Sequence, residues 1–583
     1  MRRIDLRSAA ALAGPFDPRS EELLAGPSET ADPVAVVEIL RVNKVPLLDL
    51  DLTLQRRSAG LARILASDVW SRSVDHERRE HDALEAEFAD VSRLFMDRGI
   101  TPVLFKSAGG IPYRSSNVDL LVPPGGLDEA ARLLEGSRHL RFPHYREDHK
   151  LLFRRFREGR SVICVHLHDA VSWGKVTILA GDDVSERSRP PRGVTTQRGF
   201  HVASPEDLVI ITIAHALYET DQIRLSDLRA IRMAVSNPAF DAASVLARVA
   251  RRGWLTGFNA MIAIVEALER ALYGESLLPP SLRTAGPARP PARSFAARSV
   301  AALASKGAHR LPFPMPKRFT KGHYLRYLLT NPDRSGDERI ADLIATATNL
   351  SANRLHLRCR PAVIVSFSGL DGSGKSSALR ACLEAMRLCE IPVRAVWSRG
   401  GFTSWMETAK RVARVAMPMT IPGPRQLEAK RRWLDRPVRA GLFALAVLAE
   451  QTVHYLLHVR PYRPAGVSIL CDRYAWDTQA DLEAKLGSVR RLAAWSGAMI
   501  TAAAPRPDLA ILLRVEPETA SRRKPEDSSM AHLVPSQARA LDRLAGRHGL
   551  VVIDAGRPGV DVIDEVVDLV LRASFRRFGR GRR

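Results

Sequence analysis

Cysteine is scarce in this chain. The 583 residues contain five, Cys164, Cys359, Cys382, Cys389 and Cys471, and none of them stand in a C-x-x-C pair. An odd, scattered set excludes a disulfide framework or a zinc knuckle and fits a reducing cytoplasm. The N-terminus has no apolar core of a secretion signal, because Asp5 and Arg7 closely follow Arg2 and Arg3. Long apolar runs are missing too. The most apolar stretch, 440–449, is too short to cross a bilayer and runs into Glu450, so no transmembrane segment is expected. Acidic residues are in deficit: 64 Asp and Glu face 87 Lys and Arg, a net charge of +23. Such a balance favours polyanionic partners, whether nucleotides, nucleic acid or an anionic membrane surface. Most of the excess is arginine scattered along the chain, which a genome-wide bias towards arginine codons explains equally well. No internal repeat is evident, and the length implies about two to four domains.

What is present is organised around residues 361–377, PAVIVSFSGLDGSGKSS. Gly369, Gly374, Lys375 and Ser376 have the G-x-x-x-x-G-K-[ST] spacing of a phosphate-binding loop. An apolar, β-branched run at 362–368 reads as a buried strand, and Leu379, Leu383 and Met386 have helical spacing. A strand feeding a glycine loop and then a helix turns several backbone N–H groups towards one anion. In this setting Gly369, Asp371, Gly372, Ser373, Gly374, Lys375, Ser376 and Ser377 are the nucleotide-binding candidates. Lys375 is expected to be open to ligand and to reach the terminal phosphates, and the Ser376 hydroxyl to ligate Mg²⁺.

In chain order, 1–33 is small, polar and dotted with proline, and 34–65 reads as short helices. A stronger helix spans about 76–98, with Leu84, Phe88, Val91 and Phe95 on one face. Strands are expected at 101–105 and 118–122, a helix at 127–134, and a hairpin from 151–156 and 162–168. His166 and His168 alternate and so share one face of a strand. They are either a metal pair or ordinary polar-face histidines, and the second reading is preferred because no third ligand is near in sequence. A helix is expected at 255–273, and 275–357 reads as a linker with some helix, such as 340–349.

The segments ITPVLFKSAGGIPYRSSNVDLLV and VICVHLH, followed by SPEDLVIITIAHAL and LSDLRAI, resemble the uncharacterised nucleotidyltransferase family over about residues 75–257. That family has a Leu-Lys-Gly turn, an Asp-x-Asp strand and a later Asp-x-His strand. By the resemblance Lys106 would contact phosphate. The chain departs where it matters most. Asn117 stands where the first metal-binding aspartate belongs, only Asp119 remains, and Cys164 and Val165 precede His166 with no carboxylate. One aspartate is a poor magnesium site, so this module is expected not to transfer nucleotides.

From 358 on, apolar strands at 393–397, 467–471, 508–515 and 550–553 alternate with helices, as in a parallel sheet covered on both faces. Sites are expected beyond the C-terminal ends of such strands. Asp472 ends one strand and is the candidate magnesium carboxylate. Arg399 and Arg473 end or follow neighbouring strands and suit an acceptor phosphate. Arg522, Arg523 and Lys524 lie on a polar, proline-broken segment with the composition of a mobile lid. The chain closes on a basic tail, 576–583.

This half, through SFSGLDGSGKSS, SRGG, CDRY, PRPDLAILLRVEPETASRRK and VVIDAG, resembles the thymidylate kinase family. The resemblance implies ATP and Mg²⁺ as cofactors, catalysis by Lys375, Asp472, Arg522 and Arg523, metal contacts from Ser376 and Asp472, and an acceptor site of Asp371, Arg399 and Arg473. The phosphate loop carries no arginine, so the lid would supply it. Ala475-Trp-Asp-Thr-Gln replaces the family's Ser-Ala-Tyr-Gln, which helps seat thymine, so base specificity does not carry over.

The expected fold class is α/β. A C-terminal P-loop parallel sheet, with helices on both faces, follows a mixed α+β nucleotidyltransferase-like domain with a helical appendage. The expected boundaries are an arm at 1–74, that domain at 75–274, a linker at 275–357 and the kinase-like domain at 358–583. The leading functional expectation is phosphoryl transfer to a nucleoside monophosphate or related phosphorylated small molecule. The rival is a non-enzymatic ATP-binding switch whose basic surface holds a polyanion; nucleic acid is allowed as a partner and not favoured. The sequence does not fix the oligomeric state and allows a dimer.

Overall fold

The computed structural model describes residues 32–48, 50, 62–106, 117–123, 125–142, 149–157, 160–191, 199–284, 311–354, 362–389, 391–398, 434, 436–486, 489–523 and 533–579. These fall into two compact units, Met1–Arg154 with Val162–Leu355, and Arg155–Ser161 with His356–Arg583. The basic tail beyond residue 579, Arg399 and Lys524 lie outside the described residues.

In the first unit a mixed sheet uses β1 (Val103–Leu104), β2 (Asn117–Leu121), β3 (Leu140–Phe142), β4 (Lys150–Arg157) and β5 (Arg160–His168). Two hairpin strands follow, β6 (Ala170–Trp173) and β7 (Val176–Ala180), and then β8 (His201–Val202). The six-stranded order is β3-β4-β5-β2-β1-β8. β2 runs parallel to β5, with Asn117 opposite Cys164, Asp119 opposite His166 and Leu121 opposite His168. Leu120, Phe153 and Leu167 of this sheet pack with Leu84, Phe88, Val91 and Phe95 of one helix in an apolar core.

That helix is Asp68–Met96, and Ser67 caps it by accepting the Trp70 amide. The expected boundary at residue 74 therefore cuts through a single helix. The apolar face continues one turn and more upstream, through buried Val74 and Trp70, and a Ser N-cap is what starts such a helix.

A second core of the same unit crosses the boundary at 74 again and corrects a further one, that at 274. It joins Val36, Ile39 and Leu40 of the helix Pro33–Val42 to Ile210, Met261 and Leu268, and also to Leu311, Phe313, Tyr327 and Leu328. The buried side chain of Asn43 holds the three stretches together. Its Nδ2 donates to the Ile39 and Leu311 carbonyls, and its Oδ1 accepts the Leu225 amide. Residues 311–354, expected as linker with some helix such as 340–349, form β10 (Phe313–Pro314), paired with β9 (Gln222–Ile223), and two helices, Lys317–Thr330 and Gly336–Arg354, the second of which contains the expected helix. The Tyr327 hydroxyl donates to the Thr177 carbonyl at 2.6 Å. Proline-rich composition concealed this packing, because apolar positions in so short a strand and so exposed a helix pair give little periodicity.

In the second unit β11 (Ile364–Gly369), β12 (Val393–Trp397), β13 (Ser468–Asp472), β14 (Leu509–Arg514) and β15 (Val551–Asp554) form one parallel sheet in the order β12-β13-β11-β14-β15. The central β11 is buried along its whole length, as a β-branched run between two helix layers should be. Helices Lys375–Leu388 and Gly559–Gly579 pack together, and Pro437–His458, Ala475–Lys485, Arg490–Ala503 and Val534–His548 form another packed group. Among the described residues one helix, Pro437–Tyr462, is by length and composition apolar enough to cross a membrane. Its buried face carries Glu450, Gln451, His454 and Tyr455, and Gln451 and Tyr455 bond to Ser398 at the end of β12.

Candidate active site

The strand order puts β11 between β13 and β14, so the loop after β11 opens between two neighbouring strand ends. Gly369 and Gly372 explain why this loop needs glycine. Their φ angles are +148° and +86°, and a Cβ would stand 2.6 Å from the Leu513 carbonyl oxygen and 2.5 Å from that of Ala520. Only a residue without Cβ avoids both the strain and the backbone clash. Ala520 belongs to the helix Pro517–Arg523, so the expected lid segment begins against the loop.

Lys375 opens the next helix but is not open to solvent. It is 6% exposed, and its Nζ donates to the Gly369 and Leu370 carbonyls at 2.9 and 2.6 Å. This corrects the expectation of an exposed lysine: the ammonium is folded onto the loop's own carbonyls. Burial, with Arg473 nearby, pushes its pKa down to about 8. Ser376 Oγ donates to Asp472 Oδ2 at 3.3 Å, which unites two expected metal contacts at the mouth of the loop. Asp472 is placed there by register, opposite Phe367 of β11.

Arg473 differs from expectation. It has a φ of +72° and is buried, and it pairs with Asp371 and with Asp477, the latter at 3.8 Å. It joins Asp371, as an acceptor site would require, but its guanidinium is engaged by carboxylates. Burial opposes its charge, and Asp477 and Asp371 outweigh that and raise its pKa further. Arg522 and Arg523 are exposed, and their bonds run to Thr519 Oγ1 at 3.2 Å and the Ala555 carbonyl at 3.0 Å, not to the loop. A cavity of about 290 Å³ lies beside the loop, bordered by Gly369, Leu370, Arg514, Glu516, Arg539 and Asp542.

The residue that sequence reasoning missed is Asp477. It is buried at 2% exposure, accepts Ser368 Oγ at 2.6 Å, Gly369 N at 3.2 Å and Tyr474 N at 2.9 Å, and faces Arg473. Burial pushes its carboxyl up, against the pull of Arg473 and Lys375. The available signal was an acid at the third position of a helix that begins after Tyr474, a place where a carboxylate reaches back to the capping amide.

A second polar cluster occupies the first unit. Asp119, His166 and His168 offer ligand atoms that all lie within 4.8 Å of one another. Lys106 Nζ stands 3.2 Å from Asp119 and 3.3 Å from Glu219. Glu219 also accepts Trp173 Nε1 at 2.8 Å and comes from a single π-helical turn, Ala216–Thr220, a distortion common at functional sites. Burial opposes ionisation of Asp119, but Lys106 and His166 outweigh it and hold the carboxyl well below its usual range. Burial pushes His168 down to about 3. The expectation that the histidines lack a third ligand is thus corrected, because strand register, not sequence proximity, delivers Asp119.

Comparison with known proteins finds two similarities. Residues 53–269 match the model of a family described as uncharacterised nucleotidyltransferase. The chain is also similar to thymidylate kinases. It is 28% identical to that of Symbiobacterium thermophilum over 38% of this chain and 99% of the relative. It is 26% identical to that of Ruegeria pomeroyi over 36% of this chain and 94% of the relative. Together the two similarities point to a transferase of nucleotide-related groups.

Proposed function

We propose that the second unit is an ATP- and Mg²⁺-dependent phosphotransferase acting on a nucleoside monophosphate or a related phosphorylated small molecule. The observation that carries this reading is the Ser376–Asp472 pair at the mouth of a glycine loop closed by Lys375. A hydroxyl and a carboxylate offer only oxygen, the donor set a hard divalent cation takes. Bound there, Mg²⁺ would neutralise charge on the transferring phosphates.

The chain's own groups do the rest. Amides at the start of the helix Lys375–Leu388 point at the phosphates. Lys375 exchanges the Gly369 and Leu370 carbonyls for phosphate oxygens, and so neutralises the charge that develops on them. Asp371 faces the acceptor, and Arg473 fixes its position from behind. Arg522 and Arg523, exposed on a helix that touches Gly372, would exchange their contacts with Thr519 and the Ala555 carbonyl for transferred phosphate when that segment closes.

The test is labelled ATP against a panel of nucleoside and sugar monophosphates, with purified full-length protein and the Lys375→Ala variant. Labelled product from at least one acceptor, lost in the variant, is expected. Turnover equal to wild type in Lys375→Ala would remove this loop from the chemistry.

A further inference from the structure

The cluster on β2 and β5 is the strongest feature outside the phosphate loop. The resemblance to nucleotidyltransferases implies a magnesium site made of carboxylates, and this chain has taken that set apart. Asn117 is neutral, and the register sets His166 against Asp119. What stands in its place is not simply a deficient site. His166 Nδ1 and His168 Nε2 each lie 3.1 Å from Asp119 Oδ1. Ligands about 2.0–2.1 Å from one tetrahedral cation are separated by roughly 3.3 Å, so the two edges that meet at Asp119 Oδ1 are already close to that length, and the two ring nitrogens lie within 4.8 Å of each other.

Asn117 Nδ2 donates to Asp119 Oδ2 at 3.0 Å, which leaves Oδ1, the oxygen nearest both imidazoles, as the carboxylate's ligand atom. Asp119 and His168 are buried and His166 nearly so, so this is a built interior site and not a surface accident. Lys106 contacts Asp119 and can remain on Glu219 when a cation takes over that carboxylate.

We infer that Asp119, His166 and His168 form a site for a borderline divalent transition cation of the Zn²⁺ class, not for Mg²⁺. Two imidazoles and one carboxylate suit such ions, whereas magnesium takes oxygen ligands. Three protein ligands leave a coordination position for water or substrate.

The experiment strips purified full-length protein with chelator and titrates it with Zn²⁺, Co²⁺ and Mg²⁺. One equivalent of Zn²⁺ or Co²⁺ should bind, with visible cobalt d–d absorption and no thiolate charge-transfer band. That equivalent should be lost in His166→Ala and in Asp119→Asn while far-ultraviolet circular dichroism stays unchanged. It should be kept in His458→Ala, which removes the imidazole stacked on His454, the competing close pair. X-ray absorption on the zinc-loaded wild type needs no variant and should count two imidazoles. The inference is overturned if no Zn²⁺ or Co²⁺ binds, if binding survives both His166→Ala and Asp119→Asn, or if the imidazole count is not two. Mg²⁺ filling the site at equal concentration overturns the assigned class.

Discussion

Asp477 accepts the Ser368 hydroxyl at 2.6 Å, tying a helix that follows β13 to the end of β11, just before the glycine loop. The other oxygen of the same carboxylate takes the Gly369 amide at 3.2 Å and lies 3.8 Å from Arg473. One buried anion therefore fixes where the loop starts and where the Arg473 guanidinium points.

Removing that anion should loosen the loop. Asp477→Ala leaves Arg473 on Asp371 but takes the acceptor from the Ser368 hydroxyl and the Gly369 and Tyr474 amides, and each buried donor left unsatisfied costs about 1–3 kcal/mol. Asp477→Asn keeps hydrogen-bonding capacity and should cost less. Amide hydrogen exchange across 364–388 is the measurement. Unchanged protection in the alanine variant would show that the loop is held by other contacts.

How much of this could be read from the sequence depends on what kind of contact is involved. The strand, glycine loop and helix at 364–388, β12 at 393–397 and the helix at 255–273 were legible, because spacing and short-range periodicity specify them. Asp472 was legible as a strand-end carboxylate. Asp477 was not, since its partners Ser368 and Gly369 lie 109 and 108 positions away. The engagement of Arg473 by Asp371 and Asp477 was hidden for the same reason. Asp119 and His166 are 47 apart and meet only through parallel register, which no local pattern announces. The helix at 317–330 was missed, and that at 336–354 was expected only over 340–349, because much of their apolar surface, such as Leu325, Leu329, Ile340 and Ile344, is exposed, so no buried stripe marks them.

Lys375 supplies a pH prediction. Burial sets its pKa near 8 in the free loop, against 10.5 for an ordinary lysine. Between those values the unfolded chain holds more of this proton than the folded one, so this group's contribution to stability improves as pH rises from 8 to 10.5. Ligand binding has the opposite slope. Phosphate oxygens beside the ammonium raise its pKa again, so ATP binding above pH 8 should take up a proton, and affinity should fall as pH climbs. Calorimetry in buffers of different ionisation enthalpy detects the uptake, and Lys375→Met should abolish it. Equal proton uptake in the methionine variant would assign it to another group.

The Ser376–Asp472 pair makes a separable prediction. Asp472→Asn leaves the loop amides and Lys375 intact, so nucleotide affinity should change little. Magnesium-dependent turnover should fall by about 10²–10³, the usual loss when one charge-stabilising group is removed from a transition state. Titrating Mg²⁺ at fixed ATP, with binding measured in parallel, distinguishes the cases. A matching fall in affinity with turnover per bound ATP unchanged would make Asp472 a binding or packing residue.

Acceptor choice follows from the residues after Arg473. Trp476 and Asp477 are buried, and Asp477 is consumed by the loop contacts. Rejecting a close analogue by several orders of magnitude needs dedicated polar contacts to the distinguishing group, and these positions do not offer them. Thymidine monophosphate should therefore not be clearly preferred in competition assays. A preference of about 10⁴-fold over uridine and purine monophosphates would show that a base-reading set exists elsewhere.

The first unit should not transfer nucleotides, even with a cation bound at Asp119. That chemistry places several carboxylates around cations bridging the triphosphate and the attacking group. Here Asn117 is neutral and hydrogen-bonded to Asp119, and two imidazoles complete the cluster. Replacing carboxylates with neutral donors leaves too little negative charge to hold magnesium against a triphosphate. The fold survives the exchange, because Val118, Leu120 and Leu167 keep the sheet core apolar. Asp119→Ala in the full chain should thus leave phosphoryl transfer from ATP within about twofold of wild type, about 0.4 kcal/mol in activation free energy. Incubation with ATP labelled in the adenosine moiety, with either Mg²⁺ or Zn²⁺, should give no nucleotidylated product. A nucleotidylated product that disappears in Asp119→Ala and persists in Lys375→Ala would make the first unit a working transferase and would place the two activities on separate sites.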